Sequence, residues 1–130
     1  MNFYGLVKKV VQSDLDDLDH VNNVIYVNWI QEISKKHWQE ASKDLSLECI
    51  WVVRRHDITY YNAAKLDDEV LVTTTIKDTK GPISYRQVEI KNNKTGKLFV
   101  KSVTEWCLLN SKTLKPMRIS DKIKNLFQDS

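Results

Sequence analysis

From Asn22 or Asn23 to about Ser42 the apolar residues recur at helical spacing. Tyr26, Trp29, Ile30, Ile33 and Trp38 lie along one side, with Gln31, Glu32, Lys35, Lys36 and Gln39 largely opposite. That stripe predicts one long amphipathic helix, and no Gly or Pro interrupts it. Elsewhere the pattern is that of strands. Phe3–Gln12, with Val7, Val10 and Val11, predicts a first strand, and Ile50–Tyr61 a second. In Glu69–Lys77, Val70, Val72, Thr74 and Ile76 fall on one face and Leu71, Thr73, Thr75 and Lys77 on the other. Ala64–Asp68 and Lys80-Gly81-Pro82 read as turns. Ile83–Lys91 is a further strand, joined through Asn92-Asn93-Lys94-Thr95-Gly96, a hairpin signal, to the last one at Lys97–Asn110.

That last strand carries apolar residues on both faces: Val100, Trp106 and Leu108 alternate with Phe99, Val103, Cys107 and Leu109. A strand buried on both sides needs cover on both sides, and one long helix supplies only one, so a homodimer or homotetramer is expected. Pro116 closes the sheet region, and Ser120 or Asp121 can cap a short final helix through Phe127. Residues 1–130 show no repeat, low-complexity stretch or linker. The order predicts one α+β domain, with a long helix against five antiparallel strands.

Composition narrows the function. A chain of 130 residues, 42% hydrophobic and 28% charged, is ordinary for a soluble globule. A net charge of +3, with basic pairs scattered at Lys8-Lys9, Lys35-Lys36 and Arg54-Arg55, gives no nucleic-acid footprint. Cys49 and Cys107 lack metal-type spacing and read as small buried thiols. No run approaches the roughly 18 apolar residues of a membrane span, and no apolar stretch follows Lys8 and Lys9 as in a signal peptide. A cytoplasmic location is expected.

Candidate chemistry gathers at the mouth of the helix. Ser13-Asp14-Leu15-Asp16-Asp17-Leu18-Asp19-His20-Val21-Asn22-Asn23 brings four carboxylates, an imidazole and two amides to a helix N-terminus. There the free N–H groups favour negative charge. Calcium binding is excluded: after Asp14-x-Asp16, the loop positions that need an oxygen ligand, Gly and Glu hold Leu18, Asp19 and Ile25. No serine nucleophile elbow, phosphate loop or zinc spacing occurs elsewhere, and neither cofactor nor metal is expected. Trp29, Trp38, Trp51 and Trp106 read as core or interface residues.

Asp14-Leu15-Asp16, His20-Val21-Asn22-Asn23-Val24-Ile25-Tyr26, Trp29 and Glu32 together resemble hotdog-fold acyl thioesterases. The similarity is to enzymes related to 4-hydroxybenzoyl-CoA thioesterase and to the plant acyl-carrier-protein thioesterases. Tyr60–Val70 and Thr113–Ile119 resemble later segments of the same family in order and spacing. The resemblance implies a hotdog fold acting at a subunit boundary on acyl-CoA or acyl-carrier-protein in fatty acid metabolism. By match of the Asp-x-Asp pair it implies Asp16 as nucleophile or general base, and by match of the helix start the Asn23 N–H as oxyanion donor. His20 would hydrogen-bond the thioester oxygen, position the carboxylate, or only order the turn. Asp14, Asp17 and Asp19 are expected to be solvated, and the Asn22 and Asn23 side chains to cap the helix. Glu32 is the reserve carboxylate.

The sequence also departs from the family. Asp19 stands where many acyl-CoA relatives have Gly, so a different turn is expected. Leu18 replaces an Asn of the plant enzymes, and Ala64-Lys65 replaces their Glu-Cys pair, leaving the Asp-only scheme. The alternative to hydrolysis is a non-catalytic acyl-CoA-binding or acyl-binding hotdog protein; a purely structural interaction domain is a third reading.

Overall fold

The computed structural model describes residues 2–128. In chain order they form β1 (Phe3–Lys9), a 3₁₀ turn (Gln12–Asp14), α1 (Asn23–Ser42), β2 (Cys49–Tyr60), β3 (Glu69–Lys80), β4 (Ile83–Asn92), β5 (Leu98–Asn110) and α2 (Asp121–Asn125). The strands make one antiparallel sheet in the order β1-β3-β4-β5-β2. The expected α+β arrangement, one long helix against a five-stranded antiparallel sheet, is therefore present. The helix follows the predicted bounds. Asn22 is its N-cap, accepting the Val24 N–H at 3.1 Å.

Alternation decides which residues meet the helix. Val70, Val72, Val88, Ile90 and Val100 point inward and bury against Tyr26, Trp29, Ile30 and Ile33. Burial of each such side chain is worth about 1.5–3 kcal/mol. A second cluster lies toward the helix C-terminus. There Leu108, Ile119, Ile123 and Phe127 pack with Trp38, Trp51 and Ile76, and the short α2 closes that end. Its cap is Ser120, whose Oγ accepts the Ile123 N–H.

Three details differ from the sequence pattern. The first strand stops at Lys9 rather than Gln12, because Asp14 folds the chain back: its carboxylate accepts the Val11 N–H at 3.0 Å and closes the 3₁₀ turn. The third strand runs on to Lys80, past a register shift between Ile76 and Asp78 that a strict period of two does not anticipate. The alternation along β5 is also broken by an irregularity. Phe99 sits at an irregularity opposite Ile90 and Lys91, which turns it into the core, while Val103 is exposed and Cys107 and Leu109 are only half-buried. Cys49 and Cys107 are likewise half-buried free thiols, and burial pushes the Cys49 thiol up. No helix among the described residues is long and apolar enough to cross a membrane.

Candidate active site

The segment between β1 and α1 is a closed loop held by its own backbone. The Asp16 N–H donates to the His20 carbonyl at 2.8 Å, and the Asn22 N–H to the Asp14 carbonyl at 2.9 Å. Leu15 and Val21 form an antiparallel bridge across it. Val21, buried in the core, donates its N–H to the Ala64 carbonyl at 3.0 Å, and His20 bridges Lys65. The turn after β2 thus braces the loop from the side.

Inside this frame one carboxylate is singled out. Asp16 Oδ1 accepts the Leu18 N–H at 2.9 Å and the His20 N–H at 3.2 Å. Two amides on one oxygen fix the carboxylate and leave Oδ2 without a partner among the described residues. Asp17 and Asp19 are exposed, as expected, but Asp14 is occupied by its bond to Val11. His20 touches Asp16 through its backbone. Its half-buried imidazole has no hydrogen-bond partner among the described residues.

Asp19 stands at a position whose backbone a Gly would adopt without steric cost. It adopts φ +59°, in the left-handed region that Asp tolerates better than most residues. Asn23 begins α1, is exposed, and has no acceptor for its N–H among the described residues, the ordinary state of a first-turn amide. Glu32 is committed elsewhere. Lys8 Nζ lies 2.6 Å from its Oε1 and Lys36 Nζ 3.6 Å from its Oε2. The Lys8 hydrogen bond holds the Glu32 carboxyl below its ordinary value.

One member of the constellation escaped the sequence reading. The Tyr26 hydroxyl accepts the Ala64 N–H at 2.9 Å, tying α1 to the turn that braces the loop. Burial pushes the Tyr26 phenol above its ordinary value. Its place in the motif was legible, but its partner, 38 residues away, was not. Among the described residues no group of three or more His, Cys, Asp or Glu side chains is arranged to hold a metal.

The family model for the acyl-ACP thioesterase N-terminal domain matches residues 9–127. The chain belongs to this family. Among solved structures, a 4-hydroxybenzoyl-CoA thioesterase mutant complexed with 4-hydroxybenzoyl-CoA superposes with a TM-score of 0.86 at 11% identity, covering 98% of this chain and 100% of that one. A 1,4-dihydroxy-2-naphthoyl-CoA thioesterase from Synechocystis gives 0.82 at 17%, covering 96% and 95%. The 12:0-ACP thioesterase from Umbellularia californica gives 0.80 at 19%; the match covers 98% of this chain but 51% of that one. At such identities these structures establish a shared fold. No curated protein matches in sequence. As an acyl-ACP thioesterase-family domain with the hotdog architecture, the chain bears out the resemblance read from His20–Tyr26.

Proposed function

We propose that this thioesterase-family chain hydrolyses an acyl-CoA or acyl-carrier-protein thioester with Asp16 as nucleophile or general base. The observation that carries the reading is the Asp16 carboxylate, fixed through Oδ1 by two amides beside the open N-terminus of a 20-residue helix. As a base, Oδ2 takes a proton from water while the water oxygen attacks the thioester carbon. As a nucleophile, Oδ2 attacks that carbon, the thiolate leaves, and water then cleaves the acyl–aspartyl anhydride. In both routes the carbonyl oxygen gains negative charge, the Asn23 N–H donates to it, and helix α1 favours that charge. The C–S bond breaks, and the sulfur leaves as thiolate and picks up a proton. The products are a free acid and a thiol. The His20 imidazole is assigned to the same thioester oxygen.

The active unit in this reading is a single hotdog domain spanning 1–130, working in the cytoplasm in fatty acid metabolism as a homodimer or homotetramer. Asp16 and Asn23 are both exposed on one protomer, so the wall that excludes water from the thioester comes from a second copy. The twelve-residue β2 supports this, since it is an unpaired sheet edge with Ile50 and Val52 exposed.

The test is thiol release from acyl-CoAs of graded chain length and from acyl-carrier-protein, followed with a thiol-reactive dye. Turnover of any of them supports hydrolysis. Tight binding without turnover of either carrier class overturns it in favour of an acyl-binding protein.

A further inference from the structure

A cavity of about 670 Å³ has no Asp16 in its walls. It opens between the C-terminal half of α1, the start of β2, the end of β3 and helix α2. Its α1 residues Ser34 and Trp38 are 11 and 15 positions beyond Asn23, roughly 16–22 Å along the axis at 1.5 Å per residue. The tightly packed cluster of Tyr26, Trp29, Ile30 and Ile33 fills the space between. The volume falls among those of small-molecule sites, roughly 300–1,000 Å³.

Trp38, Trp51, Trp106 and Phe127 give it an aromatic side, and one of the cations in its walls is buried. Arg86 is 95% buried on the inner face of β4, at 5% exposure. Its Nη1 donates to His37 Nδ1 at 2.7 Å and to Thr74 Oγ1 at 3.1 Å, and its guanidinium sits 5.8 Å from the Phe127 ring. Its Nε and Nη2 have no acceptor, and no carboxylate pairs with it, among the described residues. Two further donors in the same walls, the indole N–H groups of Trp51 and Trp106, are buried without partners. A buried charge without a counter-ion is costly, and burial lowers Arg86 to about 10. Lys35, Lys77 and Lys124 also line the cavity, against the one carboxylate of Asp78 among the described residues, so its field attracts anions.

We propose that this cavity is a binding site for an apolar monocarboxylate, its carboxylate paired with Arg86 and its hydrocarbon body against the aromatic walls. A planar carboxylate matches the two-pronged face that Nε and Nη2 leave open, and an apolar body is what the tryptophans and Phe127 receive. The site goes beyond thioester hydrolysis and does not use Asp16. A free acid is nevertheless the chemical class that the proposed reaction releases.

The test titrates the full-length protein with decanoate, 2-naphthoate and the uncharged decanol, following indole fluorescence and calorimetry. Decanoate, 2-naphthoate or both should bind, with decanoate about tenfold or more tighter than decanol, as expected for a charge-assisted pair. In Arg86→Met that preference should shrink to about twofold or less, whereas Asp16→Asn should keep it, whatever that variant does to turnover. Equal affinity for acid and alcohol, a preference that survives Arg86→Met, or no binding of either acid overturns the proposal. Should Arg86→Met fail to fold, carboxyl-¹³C decanoate on the wild-type protein decides. Paired with Arg86, it titrates at lower pH bound than free; an equal or higher value overturns the proposal.

Discussion

The Tyr26 hydroxyl accepts the N–H of Ala64 at 2.9 Å, and both residues are buried. Ala64 in turn accepts the Val21 N–H through its carbonyl. One alanine thus links the long helix to the loop that carries Asp16. Tyr26→Phe removes the acceptor and strands the Ala64 N–H out of water, a loss of about 1–3 kcal/mol. Urea unfolding of wild type and Tyr26→Phe measures it; equal midpoints would show that the bond is not needed. The Tyr26 phenol is raised above its ordinary 10.0, first by burial. The unfolded chain therefore ionises first. The tyrosine's advantage is complete below pH 10 and is lost as pH rises through the higher folded value. The gap between the two proteins should close with alkali.

Glu32 gives the opposite sign. Its carboxyl is held below the ordinary 4.5, first by the hydrogen bond from Lys8. The contribution is complete above 4.5 and disappears as pH falls through the lower folded value. The pair is partly solvated, with Glu32 34% exposed, so Glu32→Gln should cost about 1 kcal/mol or less near neutrality. Melting temperatures of the two proteins should differ at pH 7 and draw together as the pH falls below 4.5. The same variant should keep its thioesterase turnover, because Glu32 is bound to β1 and has no assigned chemistry.

Asp19 holds φ +59° at the tip of the loop. Asp19→Gly should leave stability and turnover close to wild type, since Gly occupies that region without steric cost. Asp19→Val places a β-branched residue there and should cost about 1–2 kcal/mol and disturb the amides that hold Asp16. Turnover lost equally in both variants would point instead to a role for the Asp19 carboxylate.

Much of this architecture was legible because it rests on local periodicity. The helix from Asn23 to Ser42 shows in the spacing of Tyr26, Trp29, Ile30 and Ile33, and its start in Asn22. Strand ends were less legible, because Asp14 stops β1 by a side-chain bond that alternation does not encode. Bulges near Ile76 and Phe99 shift which residues face inward. The loop that carries Asp16 was legible as a candidate from its motif, whereas the Tyr26–Ala64 bond depends on contacts between distant segments. Arg86 went unread: only the structure shows Ser84, Arg86, Val88 and Ile90 alternating inward on β4, which places a cation in the core. The cavity around it needed the packing of α1 and α2 against the sheet.

The most direct measurement compares thiol release by wild type and Asp16→Asn on the best acyl-CoA or acyl-carrier-protein substrate. Asn keeps a carbonyl oxygen where Asp16 Oδ1 accepts Leu18 and His20, so the loop should hold its shape while the charged Oδ2 is lost. Circular dichroism and unfolding midpoints should match wild type. Turnover should fall on the order of a hundredfold if Asp16 is the base, and further if it is the nucleophile. An Asp16→Asn protein that folds as wild type and hydrolyses its substrate at near wild-type rate would contradict the assignment of the chemistry to Asp16.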